Sequence, residues 1–250
     1  MKKKFLCLTL CMLMVFGLAL PATAWSSGGT AYTHQFLTDR ALQVLRADKG
    51  DAVANLLSAY RSTLLNYSDW PDVYENDGGL YTSHFYNPYT GKTFLGTTTA
   101  LTRFTAHANN AKKYYAKNKP LAMQELGKAL HYLADINEPH HAALLIAGLS
   151  NHTQYEEWID ANRALYADDL DSVPYDLYSA VSYNPKRYYA NYCTALFRMA
   201  AFNAYDWADE AKSGDPALWE TSAAATMTYA QESIAAFLYN YLVAVGAVKA

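Results

Sequence analysis

From residue 33 onward, apolar side chains recur at spacings of three and four rather than two, and that period restricts the chain to helices. Residues 33–47 and 51–66 carry it, as do 97–118, 120–136, 185–212 and 216–246. Pro120, Pro185 and Pro216 stand where helices should begin, in a first turn whose N–H groups have no helical partner. The run Ala223–Ala225, followed by Leu238 and Leu242, suits close helix packing. Sustained alternation is found nowhere, so the expected fold class is all-α, a single-domain multi-helix bundle. The main irregular segment is expected between about 68 and 95, where Asp, Gly, Pro and Tyr collect. A chain of 250 residues with 52% hydrophobic and 17% charged content has enough apolar surface for such a core.

A formal charge of −3 offers no footprint for nucleic acid, and none is expected as a partner. At the N-terminus, Lys2, Lys3 and Lys4 precede an apolar run from Phe5 to Leu20, and Pro21-Ala22-Thr23-Ala24 supplies small residues for cleavage. This is the pattern of a secretory signal peptide, and the run falls short of the roughly 20 residues of a spanning helix. The expected organisation is a leader over 1–24, cleaved after Ala24, and a secreted domain over 25–250. Cleavage removes Cys7 and Cys11, leaving Cys193 without an internal disulfide partner. Rigidity must come from elsewhere. The 22 tyrosines and 5 tryptophans are read as amphipathic core edges, with a membrane-interface role as the lesser alternative.

The densest chemistry lies in His131-Tyr-Leu-Ala-Asp135-Ile-Asn-Glu-Pro139-His-His141. On a helix His131 and Asp135 are i and i+4, so both can reach one ion, and Pro139 should turn the chain so that His140 or His141 returns toward them. His152 and Glu156 repeat the i, i+4 spacing, and His84 stands in Thr82-Ser83-His84-Phe85. Each pair alone is an ordinary solvated contact. Together, several histidines beside carboxylates without a thiolate partner fit a nitrogen and oxygen site for a borderline metal such as zinc. Spacing leaves the number of ions open.

These residues resemble the bacterial zinc-dependent phospholipase C family. His131–His141 is similar to its signature, and Ser83-His84-Phe85-Tyr86-Asn87-Pro88 with Gly91-Lys92-Thr93 is similar to its SHFYDP…GKT stretch. Trp25, His34, Pro71-Asp72 and His152-x-x-x-Glu156 follow the family's order. The resemblance implies an all-helical domain around a trinuclear zinc site. One zinc would take His84, His131, Asp72 and Asp135; a second would take His141, His152 and Glu156. The third would take the α-amine and carbonyl of Trp25, with His34 and a bridging Asp135. His140 is then a bystander, and His107 is expected at the surface or in a cap. Tyr81 would line the substrate pocket, while Gly28 and Val73 depart from the family's choline-holding residues.

The implied activity is that of a secreted zinc metallohydrolase. It would cleave the phosphodiester of phospholipids to diacylglycerol and a phosphorylated headgroup, with a zinc-activated water or hydroxide as nucleophile and Asp72 as a catalytic base. The implied partner is a phospholipid met through transient lipid-surface contact, and the protein is expected to be a monomer. Alternative readings are an S1/P1-type zinc nuclease or a non-catalytic zinc-binding secreted protein. The nuclease pattern ends His-x-x-x-Asp, whereas this chain has Glu156. A peptide-bonded nitrogen at residue 25 lacks the lone pair that coordination needs. Protein carrying one extra residue before Trp25 is therefore expected to bind one zinc fewer than the correctly processed chain, as measured by metal analysis.

Overall fold

A computed structural model describes residues 32–167, 173–179 and 184–249. The leader over 1–24 and Trp25 lie outside the described residues. The helices are α1 (Thr33–Lys49), α2 (Asp51–Ser58), α3 (Arg61–Tyr74), α4 (Ala100–Tyr114), α5 (Lys119–Asp135), α6 (Pro139–Ala143) and α7 (His152–Asn162). There follow α8 (Tyr175–Ser179), α9 (Pro185–Asp206), α10 (Ala208–Ala211) and α11 (Pro216–Ala244). No strand occurs among the described residues, as the all-α expectation requires. None of their helices is long and apolar enough to cross a membrane.

Local chemistry sets most of the boundaries. Thr99 and Thr102 form a capping box at the start of α4, Asn118 accepts from Leu121 N before α5, and Asp215 accepts from Ala217 N before α11. Two expectations need correction. Residues 51–66 are not one helix, because the chain breaks at Ala59 and Tyr60, and α3 then runs on to Tyr74. Pro71 sits inside α3, so Asp72 projects from a helix rather than from an irregular segment beginning near 68. A proline one turn from a helix end sacrifices a single backbone bond, which packing on one side tolerates.

The core is organised on α11, which is apolar around most of its circumference and buries Ile234, Phe237, Leu238, Tyr241 and Leu242. A helix of that kind needs neighbours on several faces. It packs on α1 and α9, and α4 and α5 pair with each other. Phe104 of α4 joins these layers, with ring centroids 5.2 Å from Phe197 and 5.1 Å from Phe237. On the other flank, α3 lies against α5 at Gly127, where an added Cβ would stand 2.7 Å from Tyr67 Cβ and 2.9 Å from the Leu64 carbonyl oxygen. That approach brings the end of α3 beside the end of α5.

Replacing Gly127 with Ala sets about 1 kcal/mol of gained helix propensity against about 1–3 kcal/mol of overpacking against a Cβ and a carbonyl oxygen that side-chain rotation cannot move away. Gly127→Ala is expected to lower the melting temperature in a thermal denaturation experiment, although alanine is the better helix former. A higher melting temperature would contradict the close approach.

Candidate metal centre

Six elements deliver the residues singled out from the sequence. His34 lies in the first turn of α1, which is pinned to α7 by Thr33 donating from N and Oγ1 to Asp160 Oδ1 at 3.1 and 2.5 Å. Asp72 comes from the last turn of α3, and His84 from a short 3-10 turn over Thr82–His84. His131 and Asp135 share one face of α5. His141 is on α6, and His152 and Glu156 on α7. None of the eight exceeds 3% exposure, which is unusual for charged residues outside a paired or metal-binding site.

They gather in two adjoining groups. In the first, Asp135 Oδ2 lies 2.9 Å from His84 Nδ1 and 3.2 Å from His131 Nε2, while its Oδ1 lies 3.3 Å from His34 Nε2. Asp72 Oδ1 is 3.5 Å from His84 Nδ1 and 3.4 Å from His131 Nε2. In the second, Glu156 Oε1 is 3.0 Å from His152 Nε2 and 3.6 Å from His141 Nε2. The turn at Pro139 thus brings His141, not His140, toward the other donors.

The imidazoles are held from behind. His131 Nδ1 donates to the Ser68 carbonyl at 2.7 Å, His84 Nε2 to the Glu75 carbonyl at 3.3 Å and His141 Nδ1 to the His84 carbonyl at 2.8 Å. A main-chain carbonyl only accepts, so each of these nitrogens carries a proton, and the opposite nitrogen, directed at the carboxylates, is the one that could bind an ion placed between them. Metal-binding histidines are typically oriented this way. The third bond also links the two groups. Phe85, the next residue, stacks on His141 with centroids 4.4 Å apart and closes an apolar wall.

Charge supports a cation here. Both oxygens of Asp72 and Nε2 of His141 are buried without a hydrogen-bond partner among the described residues. Burial pushes the Glu156 carboxyl up to about 8 and the His152 imidazole down to about 4. Burial also works against Asp135, yet the charge and hydrogen bond of His131, with bonds from His34 and His84, hold it well below the usual carboxylate range. Several carboxylates out of water are costly unless a positive charge compensates them, and oxygen and imidazole donors at this spacing suit zinc. Groups able to hold an ion include His34, Asp72 and His131, and His84, His131 and Asp135.

Glu138 is a donor that the sequence reading missed. Its side chain caps α6 by accepting from His141 N at 2.9 Å, and an oxygen lies within 4.8 Å of ligand atoms of His141 and His152. A carboxylate directly before a first-turn proline was the available signal. His140 directs its nitrogens to Glu138 Oε1 at 2.7 Å and Asn151 Oδ1 at 3.0 Å, leaving neither for an ion. It is a buried strut between α6 and the start of α7, not an idle neighbour.

His107 is not a surface or capping residue. It is buried between two carboxylates, its Nδ1 2.9 Å from Glu125 Oε2 and its Nε2 3.1 Å from Glu75 Oε2. Tyr81 adopts a left-handed backbone conformation with φ 51° and sets its ring edge-on to His84 at 5.4 Å.

Known proteins resemble this chain in sequence and fold. A family profile described as zinc dependent phospholipase C matches residues 33–211. A phospholipase C of Paraclostridium bifermentans is 27% identical over 255 residues, covering 86% of this chain and 62% of that protein. A phospholipase C of Bacillus cereus is 34% identical over 157 residues, covering 54% of this chain and 51% of that one. The alpha toxin from Clostridium absonum superposes with a TM-score of 0.79 at 21% identity, covering 88% of this chain and 66% of the toxin. The chain therefore spans between half and two thirds of the length of these relatives.

The Glu125 carboxylate yields a pH prediction. Burial alone would raise its pKa, but hydrogen bonds from His107, Lys128 and Asn110 outweigh this and hold it at about 2 against an ordinary 4.5. A carboxylate depressed by folding adds stability that is present above its unfolded pKa and lost as pH falls toward the folded one. In zinc-free protein, Glu125→Gln should melt below the wild type at about pH 6, and the gap should close between 4.5 and about 2. Melting curves across that range test it.

Proposed function

The chain belongs to the zinc-dependent phospholipase C family, and we propose that its buried centre holds zinc and hydrolyses the phosphodiester bond of phospholipids, releasing diacylglycerol and a phosphorylated headgroup. The observation that carries this reading is the set of imidazoles whose far nitrogens are bonded to main-chain carbonyls, so that their near nitrogens and the buried carboxylates point into one space where an ion would sit. We assign His84, His131, Asp72 and Asp135 to one ion, and His141, His152 and Glu156 to a second. His34 and Asp135 serve a third, together with the amine and carbonyl of Trp25.

When bound, the ions supply positive charge to an anionic phosphodiester and make water acidic enough to ionise near neutrality. The remaining chemistry belongs to the chain. Asp72 has two oxygens without hydrogen-bond partners among the described residues, so one is available to accept a proton from attacking water. Asp135 lies among three rings from three elements and keeps them in register. Phe85 excludes water beside His141, which strengthens electrostatic interactions within the site. Tyr81 supplies an aromatic edge near the expected substrate position. The leader over 1–24 fits export to a compartment where lipid is met from outside, and the enzyme is read as a monomer touching lipid transiently.

A headgroup panel of short-chain phospholipids, run on zinc-loaded protein beside single-stranded DNA, tests the reading. Phospholipid turnover is expected and DNA turnover is not. His131→Ala should lower turnover by about 100-fold or more, the scale on which loss of one charge-stabilising group is felt. Undiminished activity in that variant would remove the centre from the reaction. Turnover of DNA alone would transfer the assignment to a nuclease.

A further inference from the structure

Among the histidines of the centre, His84 alone is carried by a three-residue 3-10 turn rather than a helix. Its ring must therefore be fixed by what surrounds the turn. Nε2 donates to the Glu75 carbonyl, and only that bond leaves Nδ1 directed at Asp135 and Asp72. Glu75 is the C-cap of α3: its N–H still bonds the Pro71 carbonyl at 2.7 Å, but its φ of −119° and ψ of 27° leave the helical conformation, so α3 alone does not fix the direction of its own carbonyl. Its carboxylate is held instead. Oε2 accepts from His107 Nε2 at 3.1 Å and from Tyr132 Oη at 2.7 Å, and Arg103 approaches Oε1 at 3.8 Å.

His107 is itself anchored on its other side by Glu125 at 2.9 Å, and Glu125 also accepts from Asn110 and Lys128, each at 3.0 Å. Carboxylates on both flanks accept, so both ring nitrogens of His107 donate and the ring is an imidazolium. The groups facing it are Glu75, Glu125 and the Tyr132 ring stacked 5.9 Å away, with Arg103 and Lys128 behind the carboxylates. A continuous path of charge-assisted bonds thus runs from α5 through α4 to Glu75. It ends at the carbonyl that orients His84.

We propose that His107 is a positioning residue for the metal centre: by clamping Glu75 between α4 and α5 it sets the tautomer and ring direction of His84, and so the zinc affinity of the site formed with Asp72 and His131. The inference rests on the zinc reading above, but part of its test does not. Partners that orient a metal-binding histidine from behind are typically worth 10–100-fold in metal affinity.

The test uses the full chain with His107→Gln, Glu75→Ala and the double variant. Zinc affinity is measured by competition with a chromophoric chelator, the His84 ring nitrogens by 15N NMR of zinc-free protein, and folding by thermal melting. His107→Gln is expected to stay folded, to lose about 10-fold or more in affinity at one site, and to lose the clean Nε2–H signature of His84. The double variant should bind no worse than Glu75→Ala alone, because His107 acts through Glu75. Glu125→Gln leaves the ring in place and removes the charge behind it, and should give a smaller loss of the same sign. That variant decides the matter if His107→Gln does not fold.

A lowered melting temperature with unchanged zinc affinity and unchanged His84 resonances would reduce His107 to a packing residue and overturn the proposal. Additive losses in the double variant would overturn it as well. If the wild type takes up no zinc, the functional reading fails, while the ring signature in zinc-free protein still decides the role of His107.

Discussion

Asp135 is a fully buried carboxylate with imidazoles on three sides, and the rest of the molecule is arranged to supply them. His131 comes from its own helix one turn earlier, His34 from the start of α1 and His84 from the turn between α3 and α4. A carboxylate in that position is tolerable only if positive charge and hydrogen bonds compensate its desolvation. Withdrawing one ring leaves both the carboxylate and the remaining imidazoles uncompensated. The docking of α1, α3 and α5 and the charge balance of the centre are therefore one constraint.

The groups behind the clustered imidazoles matter as much as the carboxylates in front of them. Three rings are oriented by the carbonyls of Ser68, Glu75 and His84, so main-chain position is converted into the direction of the opposite ring nitrogen. The glycine at 127 lets α3 approach α5 closely. Ser68, on the adjoining turn of α3, thereby reaches His131. Two further buried pairs, Glu138 with His140 and Glu75 with His107, secure the segments that carry His141 and His84.

Much of this was readable from residue order. The helical period predicted α1, α4, α5, α9 and α11 to within a few residues at most ends, because each combines an apolar face with a capping residue or proline. The pairs His131 with Asp135 and His152 with Glu156 follow from i, i+4 geometry alone. Other features were not readable. The break at Ala59 and Tyr60 has no glycine or proline to announce it, and a proline at 71 argued against the helix that contains it. His107 looked like any polar residue of an amphipathic helix. Its partners are 18 and 32 residues away, on different segments, and no spacing rule connects them.

By itself, the sequence determined the helical class, the residue types able to bind metal and the local pairings on α5 and α7, because those depend on periodicity and near neighbours. Tertiary structure alone decided which nitrogen of each histidine faces inward, that Glu138 lies beside His141 and His152, and that His107 is buried between two carboxylates behind the centre. The contacts of His131 and His107 are made only when α3, α4 and α5 pack, and those of His141 and Glu138 only when the turn carrying His84 and the start of α7 close on α6.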